Sequence, residues 1–197
     1  MELDDKIDPI ALFNEWFSQA EKQEPKLHNA MQLATVSRTG MPSIRTVLLK
    51  NIIDGAFIFH TNYESRKGKQ LFDTGKASIC FHWKSLDRQV IISGTVRSTS
   101  ATISDDYFKT RSRNSNIGAW ASLQSQPLDS RQTLVDRYHE FQDSFGDTVP
   151  RPPHWGGIAL EPLEFEFWQD GEFRLHDRFK MKPIKESALW EVTRYYP

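Results

Sequence analysis

The chain has one cysteine, Cys80, among 197 residues. No disulfide can form within it, which excludes a disulfide-stapled scaffold. Cys80 lies in the apolar run Ala77-Ser78-Ile79-Cys80-Phe81, the setting of a small core residue rather than a nucleophile. An excess of one charge is also lacking. The 25 Lys and Arg against 26 Asp and Glu leave a formal net charge of −1. Nucleic-acid binders usually carry a basic excess, so that class loses weight and local basic clusters read as local binding sites. No apolar run approaches membrane-spanning length. The start, Met1-Glu2-Leu3-Asp4-Asp5, is acidic and lacks the basic and apolar regions of a secretion signal. A cytoplasmic protein with no membrane or nucleic-acid partner is the expectation. The six His are dispersed, with no pair at metal-ligand spacing, so no metal site is expected. There is no Walker loop and no GxGxxG fingerprint. There is no internal repeat and no low-complexity segment.

What is present is aromatic and β-patterned. Thirteen Phe and six Trp suit a β-rich core, a flat ligand or a subunit interface. Asp8-Pro9 starts a helix, with Asp as N-cap and Pro at the first helical position. Ile10, Phe13, Phe17 and Ala20 follow at helical spacing, with an apolar face expected to dock on the main domain. Residues 21–29 read as a linker. The expected strands are 31–37, 43–50, 56–61, 77–83, 88–97, 163–168, 173–179 and 189–194, with turns at Thr39-Gly40 and Asp54-Gly55. The expected helices are 64–73, 100–110 and 129–145. Val149-Pro150-Arg151-Pro152-Pro153 is a loop rather than a domain linker. The fold class is mainly β with helices, a β-barrel with helical additions.

Several segments carry chemistry. Phe165-Glu166-Phe167-Trp168 and Phe173 to Phe179 flank Asp170-Gly171, which reads as a β-hairpin. On a strand, Arg174, His176 and Arg178 project from one face. Two guanidiniums and an imidazole there suit an anionic or electron-rich ligand; a solvated edge strand is the competing reading. Asn62-Tyr63-Glu64-Ser65-Arg66-Lys67 opens a helix after a strand, a plausible phosphate site. Cations at a helix start oppose the macrodipole, a conflict that an anion would offset. Arg45 and Lys50 end one strand and point to opposite faces unless a bulge intervenes. Tyr107, Arg111 and Ser115 share a face if one helix runs through them, and offer a phenol, a guanidinium and a hydroxyl for a second phosphate. Gln89, Gln124 and Ser125 offer groups for the polar edge of a heterocycle.

Taken together, these segments resemble the pyridoxine (pyridoxamine) 5′-phosphate oxidase family. The resemblance runs from about Met31 to Pro197. It is carried by Arg45-Thr-Val-Leu-Leu-Lys50, Thr61-Asn-Tyr-Glu-Ser-Arg-Lys67, Arg88-Gln-Val-Ile-Ile-Ser-Gly94 and Ser115-Asn-Ile-Gly-Ala-Trp120. Gln124-Ser125, Trp155-Gly-Gly157, Glu166-Phe-Trp168 and Arg174-Leu-His-Asp-Arg178 continue it. It implies an FMN-binding split β-barrel over residues 30–197, after an N-terminal helix and linker over 1–29. It implies a homodimer with FMN at the subunit interface. The reaction implied is oxidation of pyridoxine 5′-phosphate or pyridoxamine 5′-phosphate to pyridoxal 5′-phosphate, with O2 consumed and hydrogen peroxide released.

By motif, Arg45, Lys50, Arg66, Lys67, Gln89, Gln124, Ser125, Trp168 and Arg178 resemble the FMN-binding set, with His60 and Thr61 as a further flavin-contact pair. The family often has an aromatic residue where His60 stands. Lys50, Tyr107, Arg111 and Ser115 resemble the substrate-phosphate ligands, and Arg174 and His176 the catalytic residues beside the substrate ring. Arg194-Tyr-Tyr-Pro197 resembles the family's C-terminal signature, with Tyr195 where an aliphatic residue is expected. The family often has a longer N-terminal arm, which leaves a lid role for residues 1–20 open. If Trp168 and Arg178 both touch the flavin they share a face. An odd-length loop, Asp170 to Glu172, is then expected, pairing Trp168 with Arg174, Glu166 with His176 and Glu164 with Arg178. A two-residue turn would instead pair Phe167 with Arg174. Two other readings remain: a related flavin oxidase such as one of a phenazine pathway, which tends to lose the substrate-phosphate set, and a non-catalytic flavin or pyridoxal-phosphate binder.

Overall fold

Alternating apolar residues dictate most of the architecture. In β5 (Lys76–Trp83) and β6 (Arg88–Ser98) every second residue is buried, and these strands pair antiparallel with Phe81 opposite Val90 and Ile79 opposite Ile92. The computed structural model describes residues 3, 7–185, 187 and 189–197. Apart from Leu3, the acidic start Met1-Glu2-Leu3-Asp4-Asp5 lies outside the described residues.

The other strands are β1 (Ala30–Val36), β2 (Pro42–Leu48), β3 (Asn51–Ile53), β4 (Ala56–Asn62), β7 (Trp155–Gln169), β8 (Asp177–Pro183) and β9 (Trp190–Arg194). The described strands form one sheet in the order β2-β1-β5-β6-β7-β4-β3, and β8 pairs with β7 and β9. The fold is therefore mainly β, a curled antiparallel sheet with helices added. The 15-residue β7 is its spine. Its first half pairs with β4 and its second half with β8. The ladder to β6 shifts register at Ser93/Gly94. A Cβ at Gly94 would lie 1.9 Å from the Glu161 carbonyl oxygen, so only glycine fits this bulge.

Helix α1 (Pro9–Gln23) is capped by the Asp8 carboxylate, which accepts from the Ile10 N–H at 3.0 Å. It runs three residues into the expected linker. Leu12, Phe13, Trp16 and Ala20 are buried in the same core as the sheet. The Phe13 ring meets Phe57 edge-on at 4.9 Å, and Trp16 meets Phe167 at 5.3 Å. No helix among the described residues is long and apolar enough to cross a membrane.

Helices α2 (Arg66–Thr74), α3 (Ala101–Thr110) and α5 (Arg131–Ser144) fall near their expected places. Helix α4 (Arg113–Ala121) was not expected, because Arg-Asn-Ser-Asn-Ile-Gly-Ala-Trp-Ala has weak helix formers at Asn114, Ser115 and Asn116 and a glycine in its middle. Tertiary contacts hold it. Ser112 caps its start, and Arg113 donates to the Gln142, Phe145 and Gly146 carbonyls at the end of α5. In return Arg137 donates to the Ala121 carbonyl at the end of α4.

The β7–β8 connection corrects the expected hairpin. The pairs are Phe167 with Phe179, Trp168 with Arg178 and Gln169 with Asp177. The loop is Asp170 to His176, longer than the three residues expected but still odd. Trp168 and Arg178 therefore share a face, though not through the expected partners. Arg174 and His176 are not strand residues, so the common strand face drawn for Arg174, His176 and Arg178 does not exist. The loop turns through left-handed backbone at Phe173 (φ 56°) and Arg174 (φ 63°). It closes on itself through Gly171 N–H to His176 Nδ1 at 3.1 Å.

Candidate functional site

Six elements converge on one cleft of about 410 Å³. The end of β2 and the turn after it bring Lys50, the end of β4 brings His60 and Thr61, and α2 brings Lys67. Tyr107 comes from α3, Ser115 from α4, and Arg111 from the junction of these two helices. Gln124 follows α4, and Trp155 starts β7. Eight expected site residues, Lys50, His60, Thr61, Lys67, Tyr107, Arg111, Ser115 and Gln124, line this cleft. Among the described residues no Asp or Glu lines it.

Three of the ring systems form a cluster of nearly parallel rings. His60 stacks on Tyr107 at 4.1 Å and 23°, and on Trp155 at 5.2 Å and 16°, while Tyr107 and Trp155 lie 6.2 Å apart at 8°. Cations flank the cluster, with Lys50 Nζ 5.4 Å from the Tyr107 centroid and the Arg111 guanidinium 4.6 Å from the Trp155 centroid. Both His60 ring nitrogens and Arg111 Nη1 are buried without a partner among the described residues. Burial, then Lys50, Arg111 and Arg151, hold the His60 pKa down to about 4, so the ring is neutral at neutral pH. Burial also lowers Arg111 from its ordinary value.

The helix expected through Tyr107, Arg111 and Ser115 is broken. Arg111 ends α3 in extended backbone and Ser112 caps α4. The three residues still meet, because Arg111 folds back and donates to the Ser115 carbonyl at 3.0 Å. Arg45 and Lys50 do not end one strand, since β2 stops at Leu48. Arg45 lies beside the cleft rather than in it, donating to the Leu33 carbonyl and to the hydroxyls of Thr35 and Ser43.

The start of α2 has the charge conflict its sequence suggested. Ser65 caps it, and Lys67 Nζ donates to Gln124 Oε1 at 2.8 Å. Burial and the nearby Arg45 push the Lys67 pKa down to about 8. Burial, with Arg66 next, lowers Arg45. Three cations thus crowd one helix start, and a bound anion would relieve them. Ser125 is exposed, with left-handed backbone at φ 71°.

The remaining expected residues lie elsewhere. Gln89, Trp168 and Arg178 stand directly opposite one another across β6, β7 and β8 and form one row. Arg178 is anchored by the buried Glu166, at 2.7 and 3.0 Å, and that bond raises its pKa. His176 lies beside Trp168, with ring centroids 4.7 Å apart. Arg174 is exposed on the same loop. None of these five residues lines the cleft. Trp155, which does, and Trp168 sit at opposite ends of β7, about 40 Å apart along the strand at roughly 3.3 Å per residue. The expected site residues therefore fall into two separate groups on the chain.

Three participants were not singled out from sequence as site residues. Trp155 completes the aromatic cluster, and the adjacent Gly156-Gly157 pair was the available signal. A Cβ at Gly156 would lie 2.1 Å from the Tyr63 hydroxyl oxygen, and one at Gly157 3.2 Å from His60 Nε2. Glu166 and Asp170 had no local signal beyond their charge.

Comparison with known proteins gives the relationship. Residues 17–145 match the family model described as pyridoxamine 5′-phosphate oxidase. Residues 155–197 match the pyridoxine 5′-phosphate oxidase C-terminal dimerisation region. The chain is 49% identical over 197 residues to a pyridoxine/pyridoxamine 5′-phosphate oxidase of Maricaulis maris, covering all of this chain and 89% of that one. It is 48% identical over 191 residues to the protein so named in Rhizobium etli, covering 96% and 93%. Among solved structures, PhzG from Burkholderia lata 383, in complex with tetrahydrophenazine-1-carboxylic acid, is 33% identical with a TM-score of 0.90, covering 96% and 93%. A pyridoxamine 5′-phosphate oxidase-related, FMN-binding protein from Nostoc punctiforme, 18% identical with a TM-score of 0.76 and covering 97% and 98%, shares the split-barrel fold.

Proposed function

This chain belongs to the pyridoxamine 5′-phosphate oxidase family, and on that premise we propose that it oxidises pyridoxine 5′-phosphate or pyridoxamine 5′-phosphate to pyridoxal 5′-phosphate. FMN is the cofactor, O2 the electron acceptor and hydrogen peroxide the by-product. The observation that carries this reading is the cleft: three cations, no acidic lining residue among those described, and a cluster of nearly parallel rings.

The residues fit a flavin phosphate and a substrate phosphate. Lys67 and Gln124 line the cleft at the start of α2, with Arg45 and Arg66 behind them, and hold the FMN phosphate. Ser125, Thr61 and the His60 position complete this side. Lys50, Tyr107, Arg111 and Ser115 hold the substrate phosphate, and the unpartnered Arg111 Nη1 is a donor waiting for such an oxygen. Lys50 lines the same cleft as both groups and would contribute charge to each. When bound, FMN would supply the two-electron redox chemistry. The protein's part is orientation and charge: two anchored phosphates fix the reacting rings against each other.

The second half-site completes the first in a homodimer. Gln89, Trp168 and Arg178 of one subunit meet the flavin held in the cleft of its partner, and Arg174 and His176 stand beside the substrate ring. The separation of the two sets along β7 and the match to a dimerisation region support this arrangement. Residues 30–197 make up the flavin-binding unit, with α1 contributing to its core.

A related phenazine-type oxidase is the second reading, favoured by the structural likeness to PhzG. The substrate-phosphate set Lys50, Tyr107, Arg111 and Ser115 weighs against it, because a substrate without phosphate has no use for those groups. The test is to purify the protein, load it with FMN, and assay pyridoxal 5′-phosphate and peroxide from both vitamin B6 phosphates. Equimolar product and peroxide support the proposal. A protein that takes up no FMN, or one that ignores both substrates, contradicts it.

A further inference from the structure

The loop between β7 and β8 closes on a single nitrogen. His176 Nδ1 lies 3.1 Å from the Gly171 N–H nitrogen and 2.9 Å from Asp170 Oδ1. The two contacts ask for opposite tautomers. A neutral ring protonated on Nε2 accepts from Gly171 but turns a lone pair toward the carboxylate. A ring protonated on Nδ1 gives up the bond from Gly171 and donates to Asp170 once the carboxylate turns into line with the ring N–H, since the present 2.9 Å approach is an ion-pair contact and not an aligned hydrogen bond. Charge decides between them, since a hydrogen bond to a carboxylate is about twice as strong as one between neutral groups.

The backbone keeps Asp170 in place. Its N–H donates to the Asp87 carbonyl at 2.9 Å. At Gly171 a Cβ would lie 2.4 Å from the Leu175 carbonyl oxygen, so the loop packs against itself there. The His176 side chain is 18% exposed and sits beside the Trp168 ring.

We propose that Asp170 is a positioning residue that holds His176 protonated on Nδ1, leaving the Nε2 lone pair as the hydrogen-bond acceptor for the substrate's 4′ hydroxyl or amine. This rests on the functional reading above, in which His176 stands beside the substrate ring. Without the carboxylate, the Gly171 N–H keeps Nδ1 as an acceptor and places the proton on Nε2. The ring then offers a donor where the substrate also brings a donor. Orientation of a histidine tautomer by a carboxylate on Nδ1 is the logic of the serine-protease triad, here built on a loop.

The tautomer is read directly from the ¹⁵N shifts of the ring nitrogens in histidine-labelled, FMN-loaded protein, with His176→Gln identifying the signal. At neutral pH the wild type should show His176 protonated on Nδ1, and Asp170→Ala should move the proton to Nε2. Turnover of Asp170→Ala should fall on the order of tenfold or more, with little change in KM because the phosphate contacts remain. The wild-type spectrum alone decides the matter even if the variant folds poorly: a proton on Nε2 there overturns the proposal. Unchanged turnover in a folded Asp170→Ala overturns the assigned role. A protein that turns over neither substrate yet shows the Nδ1 proton overturns the functional reading instead, and the tautomer assignment stands.

Discussion

Acid should loosen this protein through one ring. His60 packs against Tyr107 and Trp155, and both its nitrogens are buried without a partner among the described residues. Burial and the cations Lys50, Arg111 and Arg151 hold its pKa to about 4, against about 6.5 in an unfolded chain. As pH falls the unfolded chain therefore takes up a proton first. Stability is full above about pH 6.5 and is lost between there and about pH 4. The full gap corresponds to roughly 3.4 kcal/mol and the share reached by about pH 5 to roughly 2 kcal/mol. Solvent screening at a ring that is only partly buried reduces this to about 1–1.5 kcal/mol. For a chain of this size that lowers Tm by about 2–6 °C. His60→Phe keeps an aromatic ring in the cluster and cannot titrate. Thermal unfolding of both proteins at about pH 7 and about pH 5 isolates the effect from the carboxylates, which titrate in both. The wild type should lose the extra 2–6 °C or so, and the variant should not. Equal losses in the two proteins would refute the reasoning. Inorganic phosphate in the cleft should shrink the difference, because an anion offsets the field of Lys50 and Arg111.

Other outcomes follow from the same geometry. Lys67, with its pKa lowered to about 8, must be protonated to hold a phosphate, so FMN affinity should fall as pH rises through about 8; isothermal titration of Lys67→Met should lose that step. Arg111→Ala should weaken substrate binding more than FMN binding, by roughly 1.5–3 kcal/mol for one charge-assisted contact, and Arg66→Ala should show the reverse preference in flavin fluorescence and steady-state kinetics; equal losses in both would merge the two phosphate sites. Glu166→Gln removes the counter-charge of Arg178 and Lys180 and should cost about 1.5–3 kcal/mol in urea unfolding; an unchanged midpoint would mean that the buried pair adds no net stability.

The sheet was largely legible because period-two burial is a local signal. Phe57, Phe59, Phe81, Val90, Ile92, Phe165 and Phe167 alternate in sequence and are buried in the structure. Helix α4 was not legible, since bonds from Arg113 to the end of α5 and from Arg137 to the Ala121 carbonyl, between segments distant in sequence, hold it. The Tyr107, Arg111 and Ser115 group was read as a set for the wrong reason: a capped break between two helices brings them together, not one helical face. The β7–β8 loop defeated pattern reading because Asp170-Gly171 resembles a tight turn. The loop is closed instead by His176 and by left-handed residues that no propensity favours. The aromatic cluster of His60, Tyr107 and Trp155 joins three elements distant in sequence, so no window of residues could reveal it.

The central claim is that two half-sites of one chain form a single active site across two chains. Subunit complementation tests it most directly. Arg111→Ala damages the cleft and Arg178→Ala damages the sheet row, and each variant alone should form little pyridoxal 5′-phosphate. In a mixed dimer of the two, one site combines both defects and the other is intact. Unfolding the variants together and refolding them with FMN should therefore restore about a quarter of wild-type turnover per subunit, as random pairing in a two-fold dimer requires. A mixture no more active than its parents, with mixed dimers shown to be present by mass spectrometry, would contradict the shared site and with it the account given of this fold.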